Sequence, residues 1–507
     1  MPKICVTIAE KTKEALINSA LLAKSKSINF IELRLDYLEK PDYRVIEELR
    51  RTVGIPIIAT LRATRCSGKF EGDEKQRARC LKDIISYKPA YIDLEHDIPA
   101  KILDDLITHT RRNGVHIVRS YHDFKGETSE EELLRILNDF CRKYAYGKVV
   151  SNLQTRKDFE KLQRVGLMVQ SQFTNYILLG IGPYGSVSRY LADTFGSSVV
   201  YTSLSKEKTI VEGMIDIDGY KKYTALQTYT KSFAKRAGII GNPLKHTLSP
   251  PLFNEIFRIF NLKITYEPHE LTDKEIPEFI KSARNPTFAG FNVTSPFKIE
   301  ILKYIDELDN EAKEIGAVNT VINENGKLIG YNTDIYGIES ALRDQGLGVR
   351  GQGSALLIGA GGAARAMLYY LRKNNIPTIV VTRNPRKYSS LKTDFSNIKN
   401  IVGFEYTKKC AENFDLIVNA TPIGMKGAPE SKLEFNETLF HEKGLFFDMV
   451  YNPDETELIK SAKSKNMKAI GGKEMFIYQA QRTLELLCGL CVSYSFTKEI
   501  YERFHKT

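Results

Sequence analysis

No run of apolar residues approaches the ~18 that a membrane-spanning helix needs, so nothing reads as a transmembrane segment. Cysteine is scarce: there are seven, an odd number, spread over a chain long enough to fold without covalent staples. That excludes a disulfide scaffold and fits a reducing compartment. Cys488 and Cys491 have CxxC spacing, but they continue the helical pattern that begins at Tyr478. A redox pair is expected near a βαβ pattern, so these read as buried thiols on a helix. Basic residues form no run even though the net charge is +11. With no matching recognition motif, nucleic acid is excluded as the partner and small anionic ligands fit better. A signal or transit peptide is also missing, because Met1–Ile8 already reads as a strand, and the cytoplasm is the expected location.

What is present is ordinary for a globular protein: 507 residues, 42% hydrophobic and 27% charged, enough for about three domains. The most informative stretch is Leu356-Leu357-Ile358-Gly359-Ala360-Gly361-Gly362-Ala363-Ala364-Arg365. An apolar run ends in glycines and turns into a good helix former, which predicts a strand feeding a helix through a phosphate-cradling turn. Backbone N–H groups and the helix N-terminus would face a pyrophosphate there, with Gly359, Ala360, Gly361, Gly362 and Ala363 lining it. An NAD site expects an acid about 20 residues on. Here the next strand, Thr378–Val381, runs into Thr382-Arg383-Asn384-Pro385-Arg386-Lys387. With no acid and several cations, Arg383, Asn384 and Arg386 suit a 2′-phosphate, and NADP is the expected cofactor.

The first ~200 residues alternate strand and helix patterns, as a (β/α)8 barrel does. Strands are expected at Lys3–Ala9, Phe30–Leu35, Ile55–Leu61, Ala90–Leu94, Val115–Ser120, Gly147–Ser151, Tyr176–Ile181 and Ser198–Thr202. Glu32, Arg34 and Asp36 alternate with leucines, so period two puts the three charges on one face. Inward charges are costly unless paired or used on a ligand. Arg62 closes the third strand, and His122 and Asp123 the fifth. Lys148 sits among apolar neighbours in the sixth, where an amine is a candidate nucleophile toward carbonyls.

This half resembles type I 3-dehydroquinate dehydratase. The resemblance rests on Ile31–Asp36, on Ser120-Tyr121-His122-Asp123-Phe124, and on Gly185–Arg189 ahead of Phe195-Gly196-Ser197. It implies that Lys148 forms a Schiff base with the substrate ketone and that His122 shuttles the protons. It also implies that Arg189 takes the substrate carboxylate, with Thr7, Glu32, Arg34 and Arg62 around the ring. There are two departures. Cys66 stands near the place of a usual glutamate, with Glu71 nearby, and Thr209–Met214 replaces a usual Ser-Ala-Pro-Gly-Gln segment.

Further polar strand ends follow residue 236. Thr247 and Ser249 lie in a Pro-bounded loop, Asn292 and Thr294 share a face, and Lys298 is expected to begin a helix. Asn319 and Asp334 end further strand-like runs, and a lysine and an aspartate brought together suit alcohol–ketone interconversion. With Asn419–Met425, Asp448–Pro453 and Gly471–Met475, this set resembles shikimate dehydrogenase over 237–507. The resemblance implies Lys298 and Asp334 as the catalytic pair, and Thr247 and Ser249 on the substrate carboxylate. Asn292, Thr294, Asn319, Tyr451 and Gln479 would place the ring, and Thr421, Met449 and Gly472 would lie on the cofactor side. The family more often has serine at Thr247, which leaves quinate as a second substrate to test.

The expected architecture is therefore α/β: a barrel over 1–225, a substrate domain over 236–345 completed by helices from 475–507, and a Rossmann-like NADP domain over 346–474. The tandem implies a bifunctional enzyme that dehydrates 3-dehydroquinate and reduces the product, 3-dehydroshikimate, to shikimate with NADPH. No metal is expected. Two other readings are open: an inactive barrel serving as scaffold or metabolite-binding module, and an NADP-binding regulator without turnover.

Overall fold

The computed structural model describes residues 1–245, 247–344, 353–410, 412–426, 436 and 439–505. The expected boundary at 345–346 and the last residues, 506–507, lie outside them. The chain divides into two compact units: Met1–Ala225 with Gly489–Phe496, and Leu226–Cys488 with Thr497–Thr507.

In the first unit, eight strands run parallel: β1 (Lys3–Ile8), β2 (Phe30–Arg34), β3 (Ile57–Thr60), β4 (Tyr91–Glu95), β5 (His116–Asp123), β6 (Tyr146–Asn152), β7 (Tyr176–Ile181) and β8 (Val199–Ser203). A two-residue strand, β9 (Ile215–Asp216), pairs in parallel alongside β8. The ladder is continuous from β7 through β1 to β8. The β7–β8 seam is bridged by serines instead: Leu178 N donates to Ser197 Oγ at 2.9 Å and Ser198 N to Tyr176 O at 2.9 Å. The helices between strands are locally specified. Asp73 and Gln76 form a capping box at Glu74–Ser86. Ser129 caps Glu130–Lys143, whose first turn is acidic and last turn basic, as the helix dipole favours.

Alternation along the strands separates two cores. Ile31, Leu33 and Leu35 pack outward against the helices. Cys5, Phe30, Ile58, Val118 and Val199, with Tyr91 and Tyr146 against them, form an apolar floor inside the barrel. One pleat further along the same strands stand Thr7, Glu32, Thr60, Ser120, Tyr201, Asp93 and Lys148, all buried. A chemistry-bearing layer thus sits on a dry floor.

The second unit holds two sheets. The first contains β10 (Lys235–Gly241), β11 (Ile264–Glu270), β12 (Phe288–Val293), β13 (Glu307–Leu308), β14 (Thr320–Glu324) and β15 (Lys327–Tyr331), in the order β11-β10-β12-β14-β15-β13. The second contains β16 (Ala355–Ile358), β17 (Thr378–Val381), β18 (Ile398–Val402), β19 (Leu416–Asn419), β20 (Leu445–Asp448) and β21 (Lys468–Ile470), all parallel, in the order β18-β17-β16-β19-β20-β21. That is the doubly wound order, whose ligand crevice lies beyond the carboxyl ends of the central strands β16 and β19. The long helix Lys473–Cys488 returns to the first sheet, where Thr483 Oγ1 meets Asn292 Nδ2 at 3.2 Å.

Two candidate active sites

In the barrel, Lys148 on β6 is 3% exposed. Its Nζ lies 3.1 Å from Asp93 and 3.8 Å from Glu32. Glu32 is held by hydroxyls, accepting from Thr7 Oγ1 at 2.8 Å and Thr60 Oγ1 at 2.9 Å. Arg62 stands 3.6 Å from Asp93 and 3.5 Å from Glu95. Burial pushes the Asp93 carboxyl up, but Lys148 and Arg62 outweigh it and hold the group well below the usual carboxylate range. His122 lies within β5 rather than beyond its end, because pairing with β6 continues to Asp123. Burial, and then the Arg62 and Lys148 charges, push its imidazole well below the usual histidine range. It is therefore neutral at pH 7, the form a base requires.

Several buried polar atoms of this unit are short of hydrogen bonds. Both ring nitrogens of His122, Arg62 Nε and Nη2, Glu95 Oε1 and Ser186 Oγ are buried and make no hydrogen bond among the described residues. Such clustering is expected where a polar ligand completes the bonding. Arg189 is buried on the short helix Gly185–Tyr190, with Nε on Tyr201 O at 3.0 Å and Nη1 on the carbonyls of Gly180, Gly185 and Gly213. Burial alone lowers its guanidinium to about 10. Arg34 is engaged differently, paired with Asp36 through two hydrogen bonds of 2.9 and 2.8 Å. Cys66 is half-buried, 3.6 Å from Asp97. Burial, with Glu95 and Asp97 nearby, pushes its thiol up to about 12, so it is a neutral group where a carboxylate would carry charge. Glu71 is exposed.

In the second unit, Lys298 does not begin a helix. It lies in a turn, and its carbonyl accepts from Val318 N at 2.8 Å, which ties it to the neighbouring strand connection. Its Nζ meets Asp334 Oδ2 at 2.5 Å, and Asn319 Nδ2 holds Oδ1 at 2.8 Å. Thr333 Oγ1 links Asn319 to Gln479 at 3.3 Å. Asn292 donates to Thr320 Oγ1 at 3.0 Å and accepts from Tyr266 at 2.6 Å. Thr294 is half-buried beyond the end of β12. Thr247 and Ser249 lie at the start of the helix Ser249–Ile259, with Tyr451 against Thr247 and Tyr266 against Ser249.

The glycine loop runs from β16 into the helix Gly362–Lys373. Gly359 has φ +116°, which disfavours a side chain, and a Cβ there would come 2.9 Å from Ala420 O. A Cβ on Gly362 would lie 2.5 Å from Lys298 Cβ, so the helix start and the lysine stem pack directly together. At Gly361 a Cβ would meet nothing within 4 Å, leaving open space before the helix N-terminus. These features fit a dinucleotide pyrophosphate. Ala360 is buried in the turn, Ala363 is half-buried in the first turn of the helix, and Arg383, Asn384 and Arg386 are exposed beyond β17. Around the neighbouring strand ends, Thr421 Oγ1 donates to Asn419 Oδ1 at 2.6 Å, Met449 N to Asn419 O at 2.9 Å, and Gly472 N to Val450 O at 2.9 Å.

Sequence reasoning passed over Asp93 and Glu95. Their signal was available, since they alternate with Ile92 and Leu94 as Glu32 and Arg34 do with their neighbours. Tyr201, Tyr266, Thr320, Thr333 and Thr483 carried no local signal, because only the fold brings them to these clusters.

Residues 4–228 match the family model described as type I 3-dehydroquinase, and 239–321 match the shikimate dehydrogenase substrate binding domain. A shikimate dehydrogenase (NADP(+)) from Methanococcus aeolicus is 38% identical over 51% of this chain and 94% of its own length. The bifunctional 3-dehydroquinate dehydratase/shikimate dehydrogenase, chloroplastic, of Arabidopsis thaliana is 27% identical over 96% of this chain and 82% of its own. Among solved structures, shikimate 5-dehydrogenase from Thermus thermophilus, in complex with NADP(H) and shikimate, is 33% identical. It covers 53% of this chain and 99% of its own, with a TM-score of 0.47.

Proposed function

The chain belongs to the shikimate dehydrogenase family and carries a type I 3-dehydroquinase region ahead of that part, and from that premise we propose which residues perform two consecutive reactions. The enzyme dehydrates 3-dehydroquinate to 3-dehydroshikimate through a lysine Schiff base and reduces the product to shikimate with NADPH. We assign the first reaction to 1–225 and substrate binding for the second to 236–345 with 475–507. We assign the cofactor to 346–474.

In the barrel, Lys148 passes a proton to neutral His122, its Nζ lone pair adds to the ring ketone, and His122 hands the proton on to the carbinolamine oxygen. The carbinolamine oxygen leaves as water, and the iminium draws electrons from the adjacent carbon. Neutral His122 takes the C2 proton, then returns it to the departing hydroxyl, and water hydrolyses the imine. Asp93 balances the positive nitrogen, and Arg189 holds the carboxylate with Thr7, Glu32, Arg34 and Arg62 around the ring.

In the second site, Lys298 holds a proton at the substrate carbonyl oxygen, and Asp334 fixes the ammonium from below. Thr247, Ser249 and Tyr451 take the carboxylate, and Asn292, Thr294, Asn319 and Gln479 orient the ring. NADPH, when bound, supplies the hydride. The N-terminus at Gly361–Gly362 takes its pyrophosphate, with Ala360 and Ala363 lining the turn, and Arg383 and Arg386, with Asn384, its 2′-phosphate. Thr421, Met449 and Gly472 line its remaining side.

One observation carries this reading: each unit sets a largely buried lysine on a carboxylate inside a polar cluster. Among the described residues no helix is long and apolar enough to cross a membrane. The test is a coupled assay starting from 3-dehydroquinate. NADPH should be consumed with shikimate as product, and consumption only from added 3-dehydroshikimate would leave the barrel without its assigned reaction.

A further inference from the structure

Three of the groups near the Lys148 amine bear on its charge. Asp93 and Glu32 are the first two. The third is an aromatic face: Nζ lies 4.2 Å from the centroid of the Tyr201 ring on β8. Tyr201 is 3% exposed, and its hydroxyl is buried without a hydrogen-bond partner among the described residues. Among the described residues no hydrogen bond at the phenol end aims the ring. Its place is set by the strand, one pleat above Val199 in the apolar floor, and by the cation over its face. Burial, with Cys5 and Glu32 nearby, pushes the phenol well above its usual range, so it stays neutral beside the amine.

We propose that Tyr201 is a catalytic residue of the dehydratase, its ring face supporting the positive charge that Nζ carries in the protonated imine. This rests on the Schiff-base reading of Lys148. A resting ammonium has three N–H donors for the two acids beside it. When the lone pair of the free amine bonds to the ketone carbon and the carbinolamine oxygen departs as water, the nitrogen keeps its positive charge but only one N–H. Hydrogen-bonded support from the acids declines at the step where the charge must persist. A π face attracts a cation without any N–H pointing at it, and the attraction is strongest where water is excluded. The same face serves again when hydroxide loss from the enamine, protonated by His122, restores the iminium before hydrolysis. The ring is the working part and the hydroxyl is dispensable.

The experiment varies the ring's electrons and leaves its shape nearly constant. In the full-length protein, Tyr201 is replaced by Phe and then by mono-, di- and trifluorophenylalanine, which progressively weaken the π face. Dehydratase kcat and the yield of the borohydride-reduced adduct on Lys148 are measured for each. Relative to Tyr201→Phe, both quantities should fall together by about tenfold along the fluorine series. Thermal unfolding of each variant verifies that the fold is kept. A merely packed ring would give no trend, so a flat series with adduct present throughout overturns the role of Tyr201. Absence of adduct in the unsubstituted protein overturns the Schiff-base reading instead, which keeps the two failures apart.

Discussion

The two lysine sites are built on opposite plans. Lys148 stands on a strand inside the barrel, and the groups around it are incomplete: His122, Arg62 and Glu95 keep buried polar atoms without hydrogen bonds among the described residues. Lys298 sits on a turn beside the glycine loop, and its neighbours are closed on one another through Asp334, Asn319, Thr333 and Gln479. A nucleophile that must bond covalently to its substrate needs a pocket whose bonding the substrate completes. A proton donor needs fixed geometry before the substrate arrives, since preorganised polar groups cost no reorganisation during reaction. The difference in hydrogen bonding matches the roles proposed for the two lysines.

The sharpest break between the sites is Lys148→Ala. Closing the covalent route should lower dehydratase turnover by about 10⁴-fold or more and abolish the borohydride adduct, while NADPH-linked reduction of 3-dehydroshikimate stays within about twofold. Parallel loss of both activities would mean that the units are not chemically independent. The reciprocal change is milder. Lys298→Ala removes a general acid and no covalent partner, so dehydrogenase kcat should fall by about 10²–10³-fold with the dehydratase untouched. Measuring kcat for both reactions on both variants gives a four-way comparison in which only the two matched activities should drop.

Smaller again is the effect at the cofactor turn. Arg383→Ala and Arg386→Ala should each raise KM for NADPH by about tenfold, as loss of a charge-assisted phosphate contact does, and leave KM for NADH nearly unchanged. If NADH and NADPH served equally well in the parent protein, this assignment of the basic turn would fail.

How much of this was legible beforehand differs between the sites for a physical reason. In the barrel, period-two alternation reports which residues face inward, so Glu32, Arg34, His122 and Lys148 could be read from single strands. Asp93 and Glu95 carried the same signal. The β7–β8 seam did not, because it depends on Ser197 and Ser198 bridging strands that otherwise do not pair. In the second unit, the partners are remote in sequence: Lys298 and Asp334 are 36 residues apart, and Thr483 reaches Asn292 across 191. There the glycine loop was readable, since it acts through local backbone shape. The expectation that Lys298 opens a helix failed because Val318 captures its carbonyl, a tertiary bond that local propensity does not report.

The smallest effect concerns protons and falls on the barrel alone. Burial and two neighbouring cations push His122 below the ordinary histidine value, near ~6.5 in a free chain. The acid limb of dehydratase kcat/KM should therefore lie below that value, because the base stays neutral until the pH is lower still. Stability follows the same sign. As the pH falls through about 6.5, the unfolded chain binds a proton that folded His122 refuses, so the folded state loses ground toward acid. His122→Gln should reduce that decline in urea-unfolding midpoints between pH 7 and pH 5, apart from its larger cost to turnover. The Lys298–Asp334–Asn319 network contains no histidine, so the dehydrogenase pH profile should be the same with and without His122. A shift in that profile would show that the barrel histidine is felt beyond its own pocket.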